Sequence, residues 1–369
     1  MFADQTLDVV EVTDQTTAVT TATGNSADFT VEGGDLDVRS NQALQANVRA
    51  DALDNVTANA GASTVLATAA TGATGDAMVL GGTHTGVYNQ STTATDIYAH
   101  THVEAPAARF GDVSSSVQAI GNSQGLAASS AAAGVRVNQT NNAFVNTDGG
   151  GYFGQVTGAA SVSAVSAANN VTVAGLNGAQ RVEVNQLNAA AVTQAAQFTA
   201  YGSAYVSATQ ATATGNNLTA NEQGPILDIK ASQQNLAYVR AQSVNSAAQF
   251  GAGSSSAYGV GNSAVAGNQG PQIVLDNSQF NESGGVEAIA SYTGISGYDA
   301  SASASAIGNA ATGYACSDCA GVMQAVNRQT NTAEVGATAT TTVTAGRSAN
   351  GVANAVGNTA SYYVTRPSH

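Results

Sequence analysis

Small or apolar residues alternate with polar ones along most of this chain, with a period of two residues. The alternation is clearest in segments 301–307 (SASASAI) and 337–343 (ATATTTV). A period of two is typical of a β-strand with one buried face, whereas an amphipathic helix repeats every 3.6 residues. Gly, Asn, Ser and Thr occur throughout and disfavour helix. The sequence therefore predicts an all-β protein.

A short motif recurs along the whole chain: a small residue, a variable residue, then Gly-Asn. The third residue of each copy falls at 24, 72, 121, 169, 215, 261, 308 and 357, so successive copies are 46 to 49 residues apart. Two copies are degenerate, at 70–73 and 167–170. Eight copies at a nearly constant spacing indicate a repeat of roughly 47 residues. We interpret the Gly-Asn pairs as turns between strands.

A second motif, Gln-x-Asn-x-Ala-x-Val, runs in phase with the first. Its glutamines, including degenerate copies, are Gln42, Gln90, Gln139, Gln186, Gln233, Gln279 and Gln329. The asparagines two residues later are Asn141, Asn188, Asn235, Asn281 and Asn331. In a β-solenoid each coil stacks on the previous one at about 4.8 Å, so equivalent residues form columns. We predict that these amides form hydrogen-bonded ladders, each side chain donating to one coil and accepting from another.

The residue two positions before each Gly is small in every repeat. This column is predicted to contain Ala22, Ala70, Ala119, Ala167, Ala213, Gly259, Ala306 and Ala355. Such small side chains predict a narrow interior, because larger ones would overpack it. The predicted fold is an all-β β-solenoid (β-helix) of about eight repeats of roughly 47 residues.

The number of coils per repeat is a separate question. A single coil of 47 residues would have a perimeter of roughly 155 Å at about 3.3 Å per residue, which is wide for a core of Ala and Val. We therefore predict two unequal coils per repeat, about 16 in all, and a rod of about 75 Å. One broad coil per repeat is the alternative. Residues 1–16 are predicted to cap one end, 17–364 to form the repeat domain, and 365–369 to be a C-terminal tail.

Composition narrows the range of partners. The 369 residues include 10 basic and 24 acidic ones, a formal net charge of −14, and Lys230 is the one lysine. A surface that could neutralise many phosphates is not available, so we expect no nucleic-acid partner. Apolar runs are far shorter than about 18 residues, and the sequence therefore predicts no transmembrane segment.

Few residues suggest chemistry. Cys316 and Cys319 bracket a two-residue turn in an insertion of the seventh repeat, and we predict a disulfide there if the chain is secreted. His100 and His102 share a strand face beside Glu104, but a regular set of metal ligands is missing, and exposed histidines are the favoured interpretation. We predict no catalytic residue, no metal site and no cofactor.

Family resemblance adds a biological context. The spacing Asn188-x-Ala190-x-Val192-x-Gln194 is similar to the second half of the curlin repeat of bacterial amyloid fibres. The Gly-Asn pairs and the whole-chain pattern more closely resemble the HfaD family of holdfast anchor proteins of stalked alphaproteobacteria. The 47-residue unit is about twice as long as a curlin repeat and lacks its Gln-x-Gly spacing, so amyloid assembly is not expected.

The resemblance to HfaD implies a secreted protein, extracellular or associated with the outer membrane, that ties an adhesive polysaccharide to the cell pole. By the same resemblance its partners would be a fibre-like HfaA-like protein and an HfaB-like lipoprotein related to curli secretion. Self-assembly of the rods is left open.

Two other function classes are left open. An ice-binding or other ligand-binding β-solenoid adhesin would present flat rows of Thr, which 20–23 and 340–342 suggest. A polysaccharide-active β-helix enzyme would need clustered carboxylates in a groove, and the acids of this chain are scattered. We therefore predict a secreted structural and adhesion protein without catalytic activity.

Overall fold

The computed structural model describes residues 1–316 and 321–365, and this part of the chain contains seventeen β-strands and no helix. In chain order the strands are β1 (Phe2–Val12), β2 (Gln15–Glu32), β3 (Leu36–Leu44), β4 (Val48–Ala60), β5 (Ser63–Thr92), β6 (Asp96–Phe110), β7 (Asp112–Asn141), β8 (Phe144–Leu176), β9 (Ala179–Asn188), β10 (Val192–Gln223), β11 (Ile226–Asn235), β12 (Tyr238–Asn268), β13 (Gln272–Asn281), β14 (Val286–Cys316), β15 (Val322–Asn331), β16 (Val335–Ala345) and β17 (Ser348–Thr365). Burial alternates along most strands, because successive side chains point to opposite faces. The all-β prediction is confirmed.

Each strand pairs in parallel with the equivalent segment one repeat later. Gln15 lies opposite Ser63, and Ser63 lies opposite Asp112. Further along, Val192 lies opposite Tyr238. Parallel pairing at a constant sequence interval requires the chain to return to the same edge once per repeat, which is the arrangement of a β-solenoid.

Three faces make up each coil, and the fourth coil defines them here. Face 1 is residues 144–156 and their equivalents, face 2 is 159–176, and face 3 is 179–188. The longest strands continue around a corner: β8 covers faces 1 and 2, whereas β7 covers faces 2 and 3 of the third coil. A coil therefore begins on face 1 and ends on face 3.

The coil is flattened into two layers, with face 2 opposite faces 1 and 3. Phe153 of face 1 belongs to the same buried cluster as Ala164 from the first half of face 2. Val171, from the second half of face 2, lies in a cluster with Val184 of face 3. Small side chains fill most of this interior because two closely spaced sheets leave room for little else.

The prediction of two coils per repeat, about 16 in all, is wrong. Pairing partners are separated by one full repeat, so one repeat forms one coil, and the described residues form about eight. At about 4.8 Å per coil the rod is roughly 38 Å long, half the predicted length. A round coil of 47 residues would be too wide for small side chains to fill, whereas this flattened coil encloses an interior only two side chains deep.

The two predicted terminal segments differ in how much of each lies within the described residues. Phe2–Val12 pairs with β4 and supplies face 1 of the first coil. The predicted tail, 365–369, lies mostly outside the described residues. No segment of the described chain forms a helix that could cross a membrane.

Candidate functional site: polar spine and outer grooves

The seven predicted glutamines lie in one column on face 3. Consecutive members are directly opposite one another in every pair of coils. In each step the later Nε2 donates to the earlier Oε1, at 2.7 to 2.9 Å, from Gln90 to Gln42 at one end through to Gln329 and Gln279 at the other. The five inner glutamines are at most 3% exposed. The column is therefore an unbroken buried chain of amides.

The second N–H of each glutamine crosses the interior. Gln139 Nε2 donates to the backbone carbonyl of Asn170 on face 2, 2.9 Å away, and Gln186 does the same to Asn217 at 2.8 Å. All seven glutamines make this cross-layer bond. An inner glutamine thus uses both N–H groups and its oxygen, so its burial leaves no polar atom unpaired.

The five predicted asparagines form a second column at the end of face 3. Asn141 Nδ2 donates to Asn188 Oδ1 at 3.2 Å, and the pattern continues through Asn235 and Asn281 to Asn331. Each amide here donates to the later coil, which is opposite to the direction of the glutamine column. The column starts at Asn141, whose Oδ1 has no partner among the described residues.

The asparagines of the Gly-Asn motif form a third column, and our interpretation of this motif as a turn is wrong. Gly121 and Asn122 lie inside β7, and both are buried. Five hydrogen bonds of 2.7 to 2.8 Å connect successive members of this column, which are Asn122, Asn169, Asn216, Asn262, Asn309 and Asn358. At Gly261 the absence of a side chain leaves room for the second column, since a Cβ there would lie 2.6 Å from Asn281 Oδ1.

The glutamine column and this third column clamp the two layers together. Asn169 Nδ2 on face 2 donates to the carbonyl of Leu187 on face 3, 2.9 Å away, while Gln139 on face 3 donates back to Asn170 on face 2. Side-chain amides therefore bond reciprocally to the opposite backbone in successive coils. We call the three amide columns together the polar spine.

The column of small residues follows the predicted register with one exception. Ala70, Ala119, Ala213 and Ala306 are fully buried. Ala22 is 7% exposed, Gly259 is buried, and Ala355 in the last coil is exposed.

Ala167 does not belong to the column. Ser166 lies opposite both Ala119 and Ala213, whereas Ala167 lies opposite Ile120 and is half-buried. The repeat is degenerate here, with Ala168 in place of the glycine. The predicted member of the column, Ala167, is therefore one residue away from the true member, Ser166.

The predicted Cys316–Cys319 disulfide cannot be placed on the fold. Cys316 ends β14, and Cys319 lies outside the described residues. The disulfide stays a prediction.

The histidines predicted to be exposed lie on the outer surface of face 1. Tyr98, His100 and His102 stack along β6, with centroids 6.0 and 6.4 Å apart. His100 lies 3.4 Å from Asp51, and His102 lies 3.5 Å from Glu104. Within residues 1–316 and 321–365, no three His, Cys, Asp or Glu side chains lie together as a metal site would need.

The threonines that suggested ice binding do not form a row. Thr20 is buried and donates to Gln5. Thr340 is exposed, but its column continues through Ser291, Val244 and Phe198. An ice-binding face requires the same side chain in coil after coil, and this column changes at each step.

The burial of two carboxyl groups was not predicted from the sequence. Asp54 is 1% exposed, and neither of its oxygens has a hydrogen-bond partner in the described chain. Burial raises the pKa of Asp54 to about 6. Burial also raises the pKa of Glu222 to about 7, against a smaller opposing effect of the Gly178 backbone N–H. Each occurs once, so the repeat gave no signal for them.

Charged side chains gather on the outside of face 3. Glu183 lies 2.7 Å from Arg136 and 3.3 Å from Lys230, in coils on either side. Both cations lower the pKa of Glu183, Arg136 more than Lys230. Arg181 and Asp228 pair at 3.6 Å. All five of these charged residues line one groove on the outside of face 3. These charges largely neutralise one another, so the groove presents no single-sign field to a partner.

Comparison with known proteins supplies the family. The sequence pattern of holdfast attachment protein D, HfaD, matches residues 10–285, which is about three quarters of the chain. No curated protein and no solved structure matches it. The matched range includes most of the first coil and the whole of the second to sixth coils, and with them the greater part of the polar spine. This chain belongs to the HfaD family of holdfast attachment proteins.

Proposed function

We propose that this chain is a rigid extracellular rod, associated with the outer membrane, that tethers an adhesive polysaccharide to the cell pole. The proposal rests on membership of a holdfast attachment family, which points to a structural role at the cell surface. Its partners would be HfaA-like and HfaB-like proteins and the polysaccharide. We assign it no catalytic step and no cofactor.

The observation that supports a tether is the continuity of the polar spine. The glutamine column connects seven consecutive coils without a gap, and its cross-layer bonds join the two sheets at each level. A force applied to such a rod is distributed over many hydrogen bonds. Each inner coil is bonded to both neighbouring coils, and the cross-layer bonds of the glutamines join its two layers.

The segment formed by residues 1–16 has a separate role in this proposal. Residues 1–16 carry four acids, Asp4, Asp8, Glu11 and Asp14, on the outermost strand and the turn after it. Like charges at this edge oppose pairing of two such ends, so we propose that this segment caps the repeat domain 17–364.

Deletion of the chain from its native cells tests the tether. Cells that lack it should shed labelled adhesive polysaccharide under flow, and the full chain should restore retention. A chain carrying Gln186→Leu should restore less than one carrying Thr140→Ser, since only the former breaks the spine. Protease added to intact cells should degrade the chain. Full retention of the adhesive by the deletion strain would overturn the proposal.

A further inference from the structure

One outer groove, unlike the groove on face 3, has no charged residue in its lining. It lies where face 1 turns into face 2 and crosses the fourth to seventh coils, with a volume of about 650 Å³. Tyr205 and Tyr298 are 70% and 63% exposed at this corner. They occupy one column, two coils apart, with Gly251 between them. The two tyrosine positions are therefore roughly 10 Å apart along the rod. The Tyr205 ring extends over Gly251, where a Cβ would lie 3.3 Å from its Cδ2 atom.

The edge of the groove carries a row of hydrogen-bonding groups. Gln155, Ser203, Gln249 and Ser296 lie opposite one another in four successive coils. Gln155, Gln249 and Ser296 are exposed, and Ser203 is half-buried. Amides and hydroxyls thus alternate at the spacing of the coils, which is close to the length of one sugar residue in an extended polysaccharide.

The groove is uncharged. None of its twelve lining residues is acidic or basic, although the chain carries a formal net charge of −14. Arg347 lies over the Tyr298 ring at 5.8 Å, but it is paired with Asp299. An acidic ligand would find no free cation among these lining residues. A neutral ligand would meet a neutral donor or acceptor in each of the four coils and an exposed tyrosine ring in two of them.

We propose that this groove binds a neutral polysaccharide chain that runs along the rod axis. The apolar C–H faces of two sugar rings pack on Tyr205 and Tyr298, and the row from Gln155 to Ser296 bonds their hydroxyls. Aromatic rings with a polar tip suit such a ligand, since one part of the contact is apolar and the other is hydrated. This inference rests on the proposed function and names the surface that would contact the adhesive.

Affinity electrophoresis of the full chain in gels containing the adhesive polysaccharide purified from the native cells tests the groove. The wild-type chain should be retarded, and the retardation should persist at high salt because no ion pair is involved. Tyr205→Ala and Tyr298→Ala should each weaken binding about tenfold. Tyr152→Ala is the control, because Tyr152 is also an exposed tyrosine but lies on face 1 outside the groove. Melting temperatures should be the same for all four proteins.

Three results would overturn the groove: no retardation of the wild type, retardation of the Tyr205→Ala and Tyr298→Ala variants equal to that of the wild type, or loss of binding at high salt. These failures are distinct from failure of the tether. If deletion sheds the adhesive but the groove variants bind as well as the wild type, the tether stands and contacts the polysaccharide elsewhere. If the deletion strain keeps its adhesive, the proposed function fails whatever the gels show.

Discussion

At the polar spine the same glutamine occurs in seven consecutive coils, whereas at the outer corner one column reads Tyr205, Gly251 and Tyr298. The glutamine bonds to its own copies, so a change in one coil leaves partners unpaired in two others. A residue at the corner faces solvent and does not need an identical hydrogen-bond partner in the next coil. Repetition in this protein therefore marks what holds the rod together, and departures from it on the surface mark where a partner can be recognised.

The largest expected effect comes from breaking the spine. Gln186→Leu removes the bonds to Gln139 Oε1 and to the Asn217 carbonyl, and it also removes the acceptor for Gln233. Three buried partners are left unsatisfied, which should cost about 4 kcal/mol of unfolding free energy. Chemical denaturation of the purified chain measures the loss.

Thr140→Ser is the matched control for Gln186→Leu, since Thr140 is half-buried on the opposite strand face and varies between repeats. It should change the unfolding free energy by less than about 0.5 kcal/mol. Equal unfolding midpoints for the two variants would contradict the role assigned to the spine.

An intermediate effect is expected from pH, because Asp54 and Glu222 are buried without the pairing that the spine provides. Their pKa values in the fold, about 6 and about 7, lie above those of exposed carboxyls. The folded state therefore holds these protons more tightly than the unfolded state, and stability falls as pH rises through the folded values. Between pH 5.5 and pH 8 the unfolding free energy should fall by about 3 kcal/mol in total from these two groups.

Asp54→Asn and Glu222→Gln sharpen this pH prediction, since neither replacement ionises. Denaturation midpoints of the double variant should vary less between pH 5.5 and pH 8 than those of the wild type. A wild type that becomes more stable over that range, with the variant following it, would show that other groups dominate.

The smallest expected change in stability comes from replacing a glycine, and two glycines are compared. A Cβ at Gly261 would lie 2.6 Å from both Asn281 Oδ1 and the Gly308 carbonyl, whereas a Cβ at Gly134 would meet nothing within 4 Å. Gly261→Val should cost about 2 kcal/mol by overpacking. Gly134→Val should be nearly neutral. Thermal melts of the two variants check the difference, and equal melting temperatures would mean that the interior yields where the third column passes.

Much of the site could be found in the sequence, because a repeat of fixed length forces equivalent residues into contact. Gln139, Gln186 and Gln233 were predicted to form a ladder from their spacing alone, and they lie on one line. The third column was missed because Gly-Asn is common in turns. Only the packing of Asn122 against face 3 reveals that it is buried inside a strand.

Alternation and period in the sequence were enough to predict stacked strands, the length of one repeat and the glutamine and asparagine columns of face 3. These properties follow from local alternation and from period, and neither depends on the shape of the coil. The tertiary structure decided that each repeat forms one flattened coil, because that choice depends on face 2 packing against faces 1 and 3. It also decided which side chains meet at the outer corner, since Tyr205 and Tyr298 are 93 residues apart in sequence and become neighbours only when the coils stack.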